Sequence, residues 1–358
     1  MQLVFVTQVL DRQDAVLGFV VRWVEGLARA ASRVRVLALE VGDTTDLPPN
    51  VDWVELGREG AVRRYLRYRR AVRGAVREGF DGLLTHMVPR YSVVAGPWAR
   101  RAGIPHFLWY THKGVDRRLL RAIEQVDGVF TASAESMRVE TPKKIVTGHG
   151  IDAAHFDVPR AQHDAAAFRI LSVGRVTPAK DPLTVIEALG LLREDGVDVR
   201  LRWAGGALAR GDDEYALMVR RSIEEKGLTQ AVDFLGAVPY PEVPALYRDC
   251  DLFVNASRTG SVDKVVLEAM AASRPFVSCN ESIPPLLDGA LPGFADREDY
   301  AFRAGDPESL ASAVRRWIGL DAGARADRAA ALAQMVRSEH DVDVLMERLV
   351  RTMEGGVS

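Results

Sequence analysis

Short apolar runs alternate with longer stretches of helical periodicity along almost the whole chain. In the first half, residues 3–7, 34–39, 51–55, 82–86, 106–110 and 127–131 read as strands. Between them, residues 16–30, 61–79 and 91–102 carry the spacing of helices, and Asp14 is placed to cap the first. The pattern breaks at Gly148-His149-Gly150-Ile151-Asp152 and the polar residues 159–166, which read as a linker. A second series follows, with strands at 168–174, 199–204, 232–235, 252–255 and 275–278 and helices at 182–193, 215–226 and 264–272. Strand–helix alternation of this kind predicts a parallel sheet covered on both faces. The expected α/β architecture is two doubly wound, Rossmann-like domains, residues 1–158 and 167–335, facing across a cleft. Residues 336–358 are expected to form a terminal helix that packs back on the first domain, with the last five frayed. Ligands of open α/β sheets bind beyond the carboxyl ends of the strands, so the loops after strands carry the interest.

Composition narrows the class without identifying it. The chain has 358 residues, 47% apolar and 27% charged, with a formal net charge of −2. That is an ordinary globular balance with no global attraction to nucleic acid. Two cysteines, Cys250 and Cys279, make no disulfide framework, and no Cys/His spacing suggests zinc. No apolar run approaches the length of a membrane span, and the first residues lack the pattern of a signal peptide. A reducing, cytoplasmic setting is expected.

Two loops carry candidate chemistry. The first, Ser172-Val173-Gly174-Arg175-Val176-Thr177-Pro178-Ala179-Lys180-Asp181-Pro182, places Arg175 and Lys180 between a strand and a helix start. A diphosphate suits a forked donor and a compact positive charge near the positive end of a helix; two solvated cations are the alternative. The second runs from Asn255 through Gly260, Ser261, Val262 and Asp263 into a helix containing Glu268. Backbone N–H groups at such a start suit an anion or sugar hydroxyls. Glu268 stands in the most apolar helix of this half, where a carboxylate needs partners. A ribose diol would satisfy it, as would solvent or a structural arginine.

Together these segments resemble glycosyltransferase family 4, of the GT-B fold. The resemblance is strongest from residue 171 to 278, where Val232-Asp233-Phe234-Leu235-Gly236, Val243-Pro244-Ala245-Leu246-Tyr247 and Asp251-Leu252-Phe253-Val254-Asn255 also fall in family order. It implies that Arg175 and Lys180 hold the diphosphate of a nucleotide sugar and that Glu268 binds its ribose. It also implies transfer with retention and no bound metal or other cofactor. The family's first glutamate, which touches the donor sugar, is replaced here by Gly260, so sugar identity does not carry over. Asp263 is either a substitute carboxylate or a helix cap. The competing readings are a GT-B-fold sugar-nucleotide epimerase and a non-catalytic module that binds nucleotide sugar or protein.

The first domain would supply the acceptor side, for a carbohydrate, lipid-linked or small-molecule acceptor. Gly18, near a helix start, would permit close approach of a phosphate. His112 and His86 both follow or end strands, and His112 resembles the family's histidine near the transferred sugar; a core histidine is the alternative for each. Asp212-Asp213-Glu214 reads as a solvated helix start rather than a metal site. Arg63, Arg64, Arg67, Arg69, Arg70, Arg73 and Arg77 crowd one helix, with Val62, Leu66, Val72 and Val76 as its expected buried stripe. Its basic face is either simply solvated or a contact with a negatively charged acceptor or with anionic lipid at the inner membrane face.

Overall fold

Along residues 2–10 the apolar side chains go to both faces in turn. Leu3 and Phe5 join one buried cluster, and Val4 and Val6 join another. A strand buried on both sides has no polar alternation, which is why the run reads as continuously apolar. The computed structural model describes residues 1–161, 167–206, 212–290 and 297–355, without the side chains of residues 212, 213, 288–290 and 297. Residues 162–166 of the expected linker, the end of the expected frayed terminus, and the side chains of Asp212 and Asp213 therefore lie outside the described residues.

The chain forms two compact units, Met1–Asp152 with Pro239–Pro241 and His340–Ser358, and Ala153–Val238 with Glu242–Glu339. The first contains β1 (Gln2–Leu10), α1 (Phe19–Ala30), β2 (Arg33–Val41), β3 (Val51–Glu55), α2 (Ala61–Arg77) and β4 (Gly82–His86). It continues with α3 (Pro89–Ala102), β5 (His106–Trp109), α4 (Arg117–Gln125), β6 (Gly128–Thr131) and β7 (Lys144–Val146). The second opens with α5 (Ala153–Phe156), β8 (Phe168–Val173), α6 (Pro182–Glu194), β9 (Val199–Ala204), α7 (Asp212–Glu225) and β10 (Val232–Gly236). After these come α8 (Val243–Arg248), β11 (Leu252–Asn255), α9 (Lys264–Ala271), β12 (Phe276–Ser278), α10 (Ile283–Ala290), α11 (Pro307–Gly319) and α12 (Ala322–Glu339). Helix α13 (Val342–Gly355) belongs to the first unit.

In the first unit the parallel sheet runs β3-β2-β1-β4-β5-β6-β7. One face is covered by α1 and α13, whose Val342, Leu345, Met346, Leu349, Val350 and Met353 complete the cluster around Phe5 and Trp23. A Cβ on Gly26 would lie 2.8 Å from Met346 Cγ, so the glycine lets these two helices meet. Arg22 of α1 donates to both carboxylate oxygens of Asp343, at 2.9 and 2.6 Å. On the other face α2 packs through Tyr68, Val72 and Ala75.

That keeps Val72 of the expected stripe of α2 but corrects its first two members, since Val62 and Leu66 are exposed at 72% and 52%. Two residues turn a helix by about 200°, so Leu66 lies nearly opposite Tyr68, and only one of the two sets can face the sheet. Tyr68 wins because its hydroxyl donates to the Tyr91 carbonyl at 3.1 Å. Asp14 also acts differently from its expected role. Its carboxylate accepts from Val16 and Leu17 N–H at 2.8 and 2.6 Å, holding a turn ahead of α1 rather than capping the helix itself.

The second sheet runs β10-β9-β8-β11-β12, again all parallel. Asp251, buried just before β11, fixes β11 beside β8: its N–H donates to the Arg169 carbonyl at 2.8 Å and its carboxylate accepts from Arg169 N–H at 2.8 Å. Arg160 and Arg169 guanidinium groups pair with the same carboxylate. Burial works to raise the Asp251 pKa, and the hydrogen bonds and charges of these arginines outweigh it and hold it low. At the far ends of β8 and β9, Gly205 lies almost against Gly174. A Cβ there would sit 2.2 Å from the Gly174 carbonyl oxygen, and the Gly205 φ is 130°. Gly205→Ala is therefore expected to push the residue 174–175 backbone aside at a cost of about 1–3 kcal/mol. Thermal and denaturant unfolding measure this, and unchanged stability would show that the close approach is absent.

His86, His106, His149 and His340 of the first unit are buried, and three of them have lowered pKa values. Burial alone lowers His86 to about 4, and it is the leading cause for His106, to about 3, and His340, to about 4. Each stays neutral when folded and titrates nearer 6.5 when unfolded. The unfolded chain thus binds more protons between these values, so stability rises with pH through this window and is lost as pH falls below 6.5. At pH 5 the loss is about 2 kcal/mol at most for each histidine. Urea unfolding at pH 7.5 and pH 5 reads it directly, and equal midpoints would contradict it.

Candidate active site

Strands β8 and β11 lie side by side, with Leu252 opposite Ile170 and Phe253 opposite Leu171. They are the pair at which the strand order of the second sheet reverses, so the connections that leave them diverge and open a crevice at their carboxyl ends. The two loops singled out in the sequence are those that follow β8 and β11. They are tied by backbone as well as side chain: Arg258 N–H donates to the Ala179 carbonyl at 2.9 Å.

Gly174 ends β8. Its N–H donates to the Ala204 carbonyl at 2.8 Å, and its own carbonyl accepts from Trp203 Nε1 at 2.7 Å. The stem of Lys180 passes over it, 3.3 Å from where a Cβ would be. Helix α6 starts at Pro182, and the preceding Asp181 is held in the left-handed region at φ 47°. The Asp181 carboxylate accepts from Thr184 Oγ1 at 2.8 Å and pairs with the Arg258 guanidinium, so the helix start and the second loop share one buried acid. Arg175 is exposed and has no ion-pair partner among the described residues.

Lys180 reaches the second loop. Its Nζ donates to Ser257 Oγ at 3.1 Å and to Asp263 Oδ1 at 3.0 Å. Asp263 also accepts from Asn255 Nδ2 at 3.1 Å and Thr259 Oγ1 at 3.2 Å. Burial pushes the Asp263 pKa up, but the Lys180 charge and the bonds from Ser257, Lys180 and Asn255 more than offset it and hold the carboxyl below its usual range. Asp263 stands at the N-cap position of α9 yet makes no side-chain capping bond. The capping role expected of it gives way to an ion pair.

Glu268 is buried, as an acid set in an apolar helix suggests, and its partners are neither solvent nor an arginine. Lys264, one turn earlier, donates to Oε1 at 2.5 Å, and the Tyr247 hydroxyl donates to Oε2 at 3.2 Å. A carboxylate offers about four acceptor positions, so two stay available. Gly260 is buried with φ 64°, in the left-handed region. Its carbonyl accepts from Ser282 Oγ at 2.9 Å, and the Ser261 carbonyl accepts from Asn280 Nδ2 at 2.7 Å. Val262 turns its side chain into the core. A glutamate at residue 260 would have to adopt a conformation that costs an L-residue about 1 kcal/mol or more.

In the first unit, His112 is exposed in the loop after β5, and its Nδ1 accepts from Gly114 N–H at 2.9 Å. His86 is not on an open strand end. It is 2% exposed, packed among the rings of Phe5, Phe19 and Trp23, with Nδ1 3.3 Å from Thr7 Oγ1. The space beside Gly18 is filled by its own loop and by Tyr240: a Cβ would meet the Asp14 carbonyl and Tyr240 Cβ at 2.5 Å and the Arg12 carbonyl at 2.8 Å. A glycine is needed there for this close packing.

Sequence reasoning passed over Asp181, Ser257, Asn255, Tyr247 and Lys264. Two of these left a signal. An acid directly before a helix-starting proline is a cap signature, and a lysine four residues before a glutamate is a helical pair. The others are ordinary polar residues whose role appears only when strands meet.

The family model for glycosyl transferases group 1 matches residues 167–319. A putative colanic acid biosynthesis glycosyltransferase, WcaL of Escherichia coli, is 26% identical over 87% of this chain and 72% of its own length. A D-inositol 3-phosphate glycosyltransferase of Paenarthrobacter aurescens is 32% identical over 32% of this chain and 28% of its own. Among solved structures, that of Anabaena HepE in complex with UDP superimposes with a TM-score of 0.76, at 18% identity, over 99% of this chain and all of that one. The matched domain, its loops at the strand-order reversal and the relative that follows most of the chain lead to one conclusion: this protein is a glycosyltransferase, and its residues 167–319 match the group 1 family model.

Proposed function

We propose that the chain transfers a glycosyl unit from a nucleotide diphosphate sugar to an acceptor hydroxyl, with retention of anomeric configuration. The observation that carries this is the loop after β8. Lys180 is held at the start of α6 with one ammonium N–H beyond the two already used, and Arg175 stands exposed on the same loop. A departing diphosphate develops negative charge, and donors fixed in advance stabilise it without reorganising. The two remaining acceptor positions of Glu268 suit the hydroxyls of a ribose. The UDP in the HepE structure supports a nucleoside diphosphate as the group held. With glycine at residue 260, the sugar needs contacts other than the family's first glutamate. Neither an epimerase nor a non-catalytic binding module is favoured, because the relatives that match are named glycosyltransferases.

On the first unit, His112 is the proposed acceptor-side residue, being exposed where His86 is buried. His86 would act only as neutral packing behind the strand ends. The first turns of α2 expose Val62, Tyr65 and Leu66 together with Arg63, Arg67 and Arg70. That mixture supports a peripheral contact with anionic lipid on the cytoplasmic face, and through it a lipid-linked acceptor. No helix among the described residues is long and apolar enough to cross a membrane.

The donor is found by a thermal-shift screen of UDP-, GDP-, ADP- and CMP-sugars, since a ligand that binds only the folded chain raises its melting temperature. With the donor that stabilises best, Lys180→Ala is expected to lower kcat/KM about 100-fold while the circular dichroism spectrum is unchanged. Full activity in that variant would remove Lys180 from the mechanism.

A further inference from the structure

Asp263 has more bonds than a loop acid needs. Lys180, Asn255 and Thr259 all donate to it, and its side chain is largely shielded while the capping bond open to it is left unmade. The network extends further, because Ser278 Oγ of β12 donates to Asn255 Oδ1 at 2.9 Å. A chain of side chains therefore runs from β12 through the end of β11 to the loop after β8. Its terminal member is the Lys180 ammonium, and Ser257 takes a second N–H of that group. A largely shielded carboxylate so arranged fixes the place of the lysine and offsets its charge.

We propose that Asp263 is a positioning residue that aims Lys180 at the donor diphosphate and offsets its charge, so that the nucleoside diphosphate product is held weakly enough to leave. The inference rests on reading Lys180 as the diphosphate ligand. A phosphate oxygen on the free N–H of Lys180 would lie within roughly 6 Å of the Asp263 carboxylate, close enough for repulsion to matter in a partly buried site. At an effective dielectric constant of ~20 that repulsion weakens binding by a factor of about ten to a hundred.

The test is calorimetric titration of the full chain with UDP, and with GDP and ADP beside it, for the native protein, Asp263→Asn, Asp263→Ser and Lys180→Ala. In Asp263→Asn the network can persist with reversed polarity, because the Asn255 amide can turn over and Ser278 can accept instead of donate. The expected result is that Asp263→Asn binds the diphosphate about tenfold or more tightly than the native chain. Its kcat and KM with the matching donor should both fall, as they do when product leaves slowly. Asp263→Ser removes the charge without holding the lysine, so its gain should be smaller but of the same sign.

A purely structural acid would give the opposite sign, with affinity lost in both variants, and that result overturns the proposal, as does unchanged affinity. If Asp263→Asn fails to fold, Asp263→Ser alone decides the sign. Should native protein and Lys180→Ala bind the diphosphate equally, it is the assignment of Lys180 that fails, a result separable from the behaviour of the Asp263 variants.

Discussion

Everything proposed for the second unit depends on β8 and β11 being neighbours in a parallel sheet. Because the strand order reverses between them, the segments that follow diverge, and the polar ends of two loops far apart in sequence come to the same edge. Asp251 and Arg169 hold the opposite ends of these strands together through backbone and side chain alike. Only with that spacing does Lys180 reach Ser257 and Asp263. The apolar interior of the sheet thus sets the separation, and the charged network at its edge depends on it.

The edge itself is assembled from opposed charges. Asp181 pairs with Arg258, Asp263 with Lys180, and Glu268 with Lys264. All three acids are largely shielded from water, and removing the cation from any of them would leave an uncompensated charge. Arg175 is the cation on the same loops without a carboxylate partner among the described residues. On the proposed reading, an incoming diphosphate would meet a balanced framework with one free guanidinium and one lysine N–H, which favours orientation over tight retention. Affinity for the product is the quantity that such a balance tunes.

Much of this was legible in the sequence, for identifiable reasons. Strands buried on both faces give apolar runs, and those runs located β8, β9, β10 and β11 to within a residue or so. The short edge strand β7 escaped because Lys144, Ile145 and Val146 are only partly covered or exposed. Charged α4 escaped as well. The stripe of α2 was misread because its periodicity allows two apolar faces, and the choice between them lies with Tyr91 on another helix. Glu268 was legible as an acid needing partners, whereas the pairing of Asp263 with Lys180 was not, since it joins residues brought together only by the sheet. For the same reason the packing of Tyr240 against Gly18 was not legible.

The central claim is that the loops after β8 and β11 form one diphosphate site around Lys180. A crystal structure of the chain with a bound nucleoside diphosphate tests it most directly. The account predicts a phosphate oxygen within hydrogen-bond distance of Lys180 Nζ, with Arg175 turned toward the same group and Asp263 still bonded to the lysine. A diphosphate bound elsewhere on the chain, with the Lys180–Asp263 pair untouched, would contradict it.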